Sequence, residues 1–264
     1  MWQYPDLDPI AISVGPISIH WYAISYLVGI GLVWLTIRYR IRRDGLPWTD
    51  DDIADIVFYA VLGVLLGGRL GYMLFYGLDL VLADPTRLFR IWEGGMSFHG
   101  GLLGVLLSVM FYARKKGVSF FDVTDLIAPS IPLALGCGRI GNFINSELPG
   151  RVTDVPWAVI FPGDIVARHP SSLYQAVLEG AVLFAVLWIY VLKPRPLMAA
   201  SGLFLVGYGV LRIVSEFFRE PDVQIGYVLA DWVTTGQLLS LPMVLLGCCL
   251  MTYAYLKSGK LKSR

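Results

Sequence analysis

The sequence predicts an all-α polytopic membrane protein with seven transmembrane helices. Of its 264 residues, 56% are hydrophobic and 16% are charged, whereas a soluble domain carries about 25% charged residues. Apolar segments near the ~20 residues that cross a bilayer recur along the chain, and each is expected to be helical because backbone groups find no water there. The segments are roughly 18–37, 53–76, 98–113, 120–141, 171–192, 200–218 and 235–256, of which the third is short.

Basic residues predict the orientation of these segments. Four clusters hold 13 of the 21 Lys and Arg residues and every Lys; they lie at 38–43, 114–116, 193–195 and 257–264. Seven crossings place all four on one side, which the positive-inside rule makes cytoplasmic. The N-terminus is then outside and the C-terminus inside. We expect one membrane domain, 1–264, with outer segments 77–97 and 142–170 forming a small extracytoplasmic cap.

Composition also argues against several classes of function. The net charge of +1 offers no basic field for nucleic acid. Cys137, Cys248 and Cys249 lack metal-ligand spacing and are expected to be buried, small apolar residues. The sequence has no His/Cys cluster, P-loop or nucleophile elbow, so we expect neither a metal nor a cofactor.

The sixth span carries a polar stripe. Tyr208, Arg212, Glu216 and Arg219 follow at spacings of 4, 4 and 3, which put them on one helical face. Ionisable residues within a span are costly and mark functional sites by default. The alternative is an Arg212–Glu216 ion pair that only holds two helices together.

The fifth span carries a second polar face. Ser172, Gln175 and Glu179 align by the same spacing, with Glu179 about two turns deep. Interhelical hydrogen bonding explains this face as well as function does.

Small residues dominate one face of the second span. Gly63, Gly67 and Gly71 recur at four-residue spacing and predict close helix packing. On another face, Arg69 either extends to the outer surface or supports a site.

The stretch "GCGRIGNFINSELPGR", residues 136–151, concentrates polar groups at the outer end of the fourth span. Arg139 and Asn142 are one helical turn apart and together can bind a phosphate oxygen, while the glycines permit close backbone approach. His99 and Tyr22 begin the third and first spans at the same outer level. Arginines beside apolar walls suit an anionic lipid headgroup with its acyl chains alongside.

Several segments resemble a known family. "HGGLLG", "GCGRIGNFINSELPGR" and "GYGVLRIVSEFFREPD" are similar to the signature segments of bacterial prolipoprotein diacylglyceryl transferases, and "IHWYAISYLVG", "LGGRLGYMLFY" and "MSFHGG" agree. The resemblance covers essentially the whole chain. It implies an inner-membrane enzyme that transfers the sn-1,2-diacylglyceryl group of phosphatidylglycerol to the lipobox cysteine of preprolipoproteins, forming a thioether and releasing glycerol 1-phosphate.

The resemblance also implies which residues act. The catalytic group would be His99, Arg139, Arg212, Glu216 and Tyr22, and the lipid-binding group Arg139, Asn142, Glu147, Gly150, Arg212 and Tyr208. In this interpretation either His99 or a water bound to one of the arginines deprotonates the thiol, and the arginines neutralise the leaving phosphate. Glu216 would orient Arg212, Glu147 and Asn142 would fix Arg139 and the lipid headgroup, and Gly150 would supply a turn that only glycine permits.

Two other functions compete with the transferase. A phospholipid flippase or anion transporter would use the same arginines, but its polar path should continue into the inner halves of the spans. These offer little beyond Asp125, Pro129 and Pro132. A structural scaffold would not need arginine inside the spans at all.

Overall fold

A computed structural model describes residues 1–5, 7–15, 17–221, 226–229 and 232–262, which are mostly helical. The helices are α1 (Trp21–Asp44), α2 (Asp50–Phe75), α3 (Leu78–Ala83), α4 (Phe98–Lys116), α5 (Phe120–Ile127), α6 (Ile131–Ile144), α7 (Ser171–Gln175), α8 (Leu183–Tyr190), α9 (Ala199–Glu216) and α10 (Thr235–Lys262). A π-helical segment, Ala176–Val182, joins α7 to α8, and 3-10 turns cover Pro85–Phe89 and Ile91–Glu93.

Short strands lie between the helices. The strand β1 (Trp2–Gln3) pairs in parallel with β4 (Val159–Ile160). The two antiparallel pairs are β2 (Ile10–Val14) with β3 (Ile17–His20), and β5 (Tyr227–Leu229) with β6 (Val233–Thr234). The predicted all-α class therefore holds for the apolar segments, and these small sheets add to it.

The helices include several that can span a membrane. Five are long and apolar enough: Trp21–Asp44, Asp50–Phe75, Ser171–Tyr190, Ala199–Glu216 and Thr235–Gly259. A sixth is present if α5 and α6 form one bent span. Helix α4 does not qualify, because polar residues at both ends of its 19 residues shorten its apolar part. The chain is thus a multi-pass membrane protein, and the number seven stays a prediction.

The predicted fourth span, 120–141, is interrupted. Helices α5 and α6 meet at an angle of 55° across the break at 128–130. Pro129 lies in the break and Pro132 in the first turn of α6, where the missing N–H costs nothing. Counting apolar residues alone passes over this bend, which proline chemistry explains.

The chain divides into two compact units, one formed by residues 37–124 and the other by 1–36 together with 125–264. Within the first, α2 and α4 pack along each other. A Cβ added to Gly71 would lie 2.8 Å from Gly100 Cα, and one on Gly67 would lie 2.8 Å from Gly104 Cα. The predicted glycine packing of the second span is confirmed.

Arg69 organises the connection that follows α2. Its side chain is buried, with 3% of the residue exposed. Its guanidinium donates to backbone carbonyls of Arg87 (2.5 Å), Leu88 (3.3 Å), Arg90 (2.8 Å), Gly94 and Gly95 (3.4 Å). One of the two expectations, that Arg69 extends to the outer surface, was therefore wrong. Its contacts instead satisfy the backbone carbonyls of a connection with little regular structure.

The second unit contains the bent pair α5–α6, the α7–π–α8 helix, α9 and α10. Asp125 of α5 accepts hydrogen bonds from Met198 N (2.7 Å) and Ser201 N (2.8 Å), at the beginning of α9. A carboxylate suits the unpaired N–H groups of a helix N-terminus. A Cβ on Gly247 would lie 2.6 Å from Gly202 O, so α9 and α10 also approach closely.

The cysteine prediction was wrong in part. Cys137 is half-buried, and Cys248 and Cys249 are exposed on α10. Their neighbours Leu245 and Leu246 are exposed as well. A helix that faces lipid on one side keeps its apolar residues uncovered by protein, so burial is the wrong expectation there.

Replacing Arg69 with Gln should loosen the 85–95 connection. The variant leaves several buried carbonyls without a donor, at about 1–3 kcal/mol each. We expect faster chymotrypsin cleavage at the exposed Phe89 and Trp92 in detergent. Arg90→Gln is the matched control, because Arg90 makes exposed ion pairs with Asp84 and Glu93 that contribute little. Equal cleavage rates in the two variants would contradict the role of Arg69.

Candidate active site

A pair of glycines brings Arg139 to its partner. Gly136 of α6 lies against Gly180 of the π-helical segment, where a Cβ on Gly180 would lie 2.8 Å from Gly136 Cα. Arg139 follows almost one turn after Gly136, and its Nη2 lies 3.6 Å from Glu179 Oε2. Arg139 keeps 22% of its side chain exposed. The close approach of the two segments is what lets an arginine on one reach a carboxylate on the other.

Glu179 joins two arginines. It is fully buried in the middle of the π-helical segment. Its Oε1 lies 3.4 Å from Arg212 Nη1 and accepts a hydrogen bond from Ser215 Oγ at 2.9 Å. π-Helical turns are rare and occur often at functional sites, where they re-aim a side chain.

Glu216 continues the sequence of alternating charges. It forms ion pairs with Arg212 and with Arg219, the latter at 3.2 Å, and accepts a hydrogen bond from Thr234 Oγ1 at 2.6 Å. We refer to Arg139, Glu179, Arg212, Glu216 and Arg219 as the arginine–glutamate chain. Its three cations and two anions leave one positive charge, which suits a monoanion such as a phosphodiester.

The predicted stripe on the sixth span is confirmed as a cluster, and its interpretation changes. Arg212 and Glu216 do form the ion pair that was the structural alternative, within α9 itself. The partner on another helix is Glu179. Arg212 has 11% of its side chain exposed and Glu216 has 3%, so this pairing occurs away from solvent, where an unpaired charge would be costly.

Asn142 and Glu147 contact each other. Asn142 Nδ2 donates to Glu147 Oε2 at 2.7 Å, and Asn145 Nδ2 donates to Glu147 Oε1 at 3.3 Å. We expected this pair to fix Arg139, but the ion pair of Arg139 is with Glu179. The reason is that the chain turns after α6 and folds Glu147 back onto Asn142, as the Glu147 N to Asn142 O hydrogen bond of 2.8 Å shows.

Tyrosines of α1 and α9 lie near the arginine-bearing part of α6. The hydroxyl groups of Tyr22 and Tyr26 lie 3.0 Å apart on α1, and the ring of Tyr22 packs where a Cβ on Gly141 would lie 2.9 Å away. Tyr208 lies one turn before Arg212 on α9, close enough to Arg139 for an electrostatic interaction. Of the tyrosines that the sequence analysis named, Tyr22 thus packs against α6, which carries Arg139, and Tyr208 lies on α9 with Arg212.

Gly150 is needed for a reason other than the predicted one. Its backbone is not in the left-handed region that favours glycine. It forms an isolated antiparallel bridge with Arg219, and a Cβ there would meet His169 O and lie 2.6 Å from Phe218 O. The turn prediction was wrong. Glycine is required here because the backbone at His169 and Phe218 packs directly against Gly150 and leaves no room for a side chain. Burial lowers the pKa of the His169 imidazole, whose backbone carbonyl packs against Gly150.

His99 belongs to the other unit. It is the second residue of α4, and its ring is exposed and makes an edge contact with Phe98. Its role in the reaction stays a prediction. The last residue of the motif "GYGVLRIVSEFFREPD", Asp222, lies outside the described residues.

Glu179 was the residue that sequence reasoning undervalued. The shared face of Ser172, Gln175 and Glu179 is confirmed, since all three are buried. The depth of a carboxylate within an apolar span was the available signal. Among the described residues, no group of three His, Cys, Asp or Glu could hold a metal ion.

Comparison with known proteins shows which family this chain resembles. Residues 9–253 match the family model described as prolipoprotein diacylglyceryl transferase. The chain is 55% identical over 256 residues to the phosphatidylglycerol–prolipoprotein diacylglyceryl transferase of Pseudomonas aeruginosa strain UCBPP-PA14, covering 97% of this chain and 96% of that protein. It is 52% identical over 263 residues to the protein of the same name from Azotobacter vinelandii, covering 99% of each.

Gly150→Ala should destabilise the protein, whereas Gly138→Ala should not. The added methyl at position 150 meets backbone atoms that cannot move cheaply, and overpacking typically costs about 1–3 kcal/mol. At Gly138, in the same motif, the nearest atom would be 3.9 Å away, an ordinary contact. We expect a lower melting temperature in detergent for Gly150→Ala alone. A similar drop for both variants would refute the packing role.

Proposed function

The chain belongs to the prolipoprotein diacylglyceryl transferase family, and from that we propose that it transfers the sn-1,2-diacylglyceryl group of phosphatidylglycerol to the lipobox cysteine of preprolipoproteins. The products are a thioether-linked precursor and glycerol 1-phosphate. The observation that carries the proposal is the pairing of Arg139 and Arg212 through the buried Glu179. This pairing provides two planar cations for one phosphate in a protein that spans a membrane.

The reaction is a displacement at carbon. The cysteine thiol loses its proton, and the sulfur forms a bond to the terminal glyceryl methylene carbon of the lipid. The bond between that carbon and the phosphate oxygen breaks, and its electron pair leaves with glycerol 1-phosphate. A free thiol has a pKa near 8.5, so only a few per cent is thiolate at neutral pH and a base accelerates the step.

The arginines stabilise the leaving group. Charge grows on the phosphate as the carbon–oxygen bond breaks, and Arg139 and Arg212 are held where a phosphate can meet both. Because both are already oriented by carboxylates, little reorganisation is needed when charge develops. Glu216 orients Arg212, while Asn142, Glu147, Tyr22 and Tyr208 line the lipid's headgroup.

The proposed setting is the bacterial inner membrane. Seven crossings, with α4 counted and α5–α6 taken as one span, put the four basic clusters in the cytoplasm. The ends of α6 and α9 that carry Arg139 and Arg212 then lie toward the outer leaflet. The segments 77–97 and 142–170 form the extracytoplasmic cap of a single membrane domain.

Arg139→Gln should abolish transfer. Removing one oriented donor from a charge-stabilising site typically costs about 10²–10³ in kcat. The assay combines purified protein, phosphatidylglycerol and a synthetic lipobox peptide, and measures glycerol phosphate release and the peptide's mass. Arg114→Gln, in the basic last turn of α4, is the matched control and should keep full activity. Lipid binding by the unaltered protein with neither product would favour the transporter instead.

His99→Gln tests the proposed base. We expect turnover to fall by about 10²–10⁴-fold at pH 7, since general bases contribute about that much. The loss should shrink as the assay pH approaches the thiol pKa, because more thiolate then forms without help. The initial rate from pH 6.5 to 9 is the measurement. Near-normal turnover at pH 7 would remove His99 from this role.

A further inference from the structure

Resting on the proposed function, we propose that Glu179 is a positioning residue that divides one carboxylate between Arg139 and Arg212 and thereby limits how tightly the site holds glycerol 1-phosphate. The proposal begins from its two oxygens. Oε1 faces Arg212 and accepts from Ser215, while Oε2 faces Arg139. A carboxylate that is fully buried between two guanidinium groups fixes their separation as well as balancing their charge.

The two arginines are not held equally. Arg212 has a second carboxylate partner, Glu216. Within the described residues, Glu179 is the one carboxylate within 4.0 Å of the Arg139 guanidinium, and their 3.6 Å separation exceeds a hydrogen bond. Glu179 Oε2 accepts no hydrogen bond from the described side chains. Arg139 is also the most exposed member of the arginine–glutamate chain. A phosphate can therefore reach Arg139, which is partly exposed and is not hydrogen-bonded to Glu179, while Glu179 stays in place.

Charge makes the product the stronger ligand. Phosphatidylglycerol presents a phosphodiester with one negative charge. Glycerol 1-phosphate is a monoester, and such phosphates carry about −1.5 to −2 at pH 7. Two arginines without a shared anion would hold the product more tightly than the substrate and delay the next turnover. The carboxylate of Glu179 remains beside them, repels the extra charge and can replace the phosphate on both arginines.

Glu179→Gln separates this role from a structural one. The variant keeps the side chain's shape and removes its charge. We expect the inhibition constant of glycerol 1-phosphate to fall at least about tenfold, because unit charges about 4 Å apart interact strongly in a partly buried site. We expect kcat to fall while KM for phosphatidylglycerol stays equal or falls. A purely structural residue would instead weaken phosphate binding along with activity.

Two further variants complete the test. Glu179→Asp retains the charge and should bring the inhibition constant close to the unaltered value. Glu220→Gln is the matched control: Glu220 is exposed and pairs with Arg168, so it changes the net charge equally without touching the arginine pair. An inhibition constant that is unchanged or raised in Glu179→Gln would overturn the proposal, as would an equal fall in Glu220→Gln.

Folding and function are controlled separately. If Glu179→Gln does not fold, the unaltered protein provides the test: with Glu179 in place, the extra charge of glycerol 1-phosphate should not make it bind more tightly than a water-soluble glycerol phosphodiester, and much tighter binding of the monoester would count against the proposal. If the unaltered protein shows no transfer, the proposed function fails. Calorimetric titration of each variant with glycerol 1-phosphate still compares their affinities, and tighter binding by Glu179→Gln would uphold the role of Glu179.

Discussion

The central constraint on this structure is that an arginine placed inside an apolar helix must find an anion there. Water is scarce, and an unpaired buried charge costs several kcal/mol. The arginine–glutamate chain meets the constraint by alternating sign across α6, the π-helical segment and α9. The links of Glu179 to Arg139 and Arg212 depend on contact between helices, and for Arg139 that contact is the close approach of Gly136 and Gly180. The chemistry of the site and the packing of its helices are therefore one problem.

The sequence was most informative where the relevant partners lie on the same helix. Spacing alone placed Arg212 and Glu216 together, and they do form an ion pair. The close packing of the α2 glycines was equally predictable, because glycines at a four-residue spacing lie on one face of the helix and let a neighbouring helix approach. Both inferences use only local geometry, which the order of residues determines.

Contacts between distant segments were beyond that reasoning. Glu179 was read as one member of a polar face, since nothing in its spacing identifies Arg139 as its partner. The π-helical turn that carries it has no evident sequence signature. Gly150 shows the same limit, because the residues that leave no room for a side chain there, His169 and Phe218, are not its neighbours in sequence. The break between α5 and α6 was foreseeable from Pro129 but was hidden by a continuous apolar count.

The hydrogen bonds of Asp125 have a consequence for which substitutions the protein tolerates. Asp125 binds the first turn of α9, several helical turns from Arg212 at its other end. It therefore ties the bent pair that leads to Arg139 to the helix that bears Arg212. A genetic screen for loss of function would recover substitutions at this aspartate, although its contacts are at the opposite end of α9 from Arg212. Among related proteins, position 125 should vary as rarely as the positions of the arginines whose alignment Asp125 maintains.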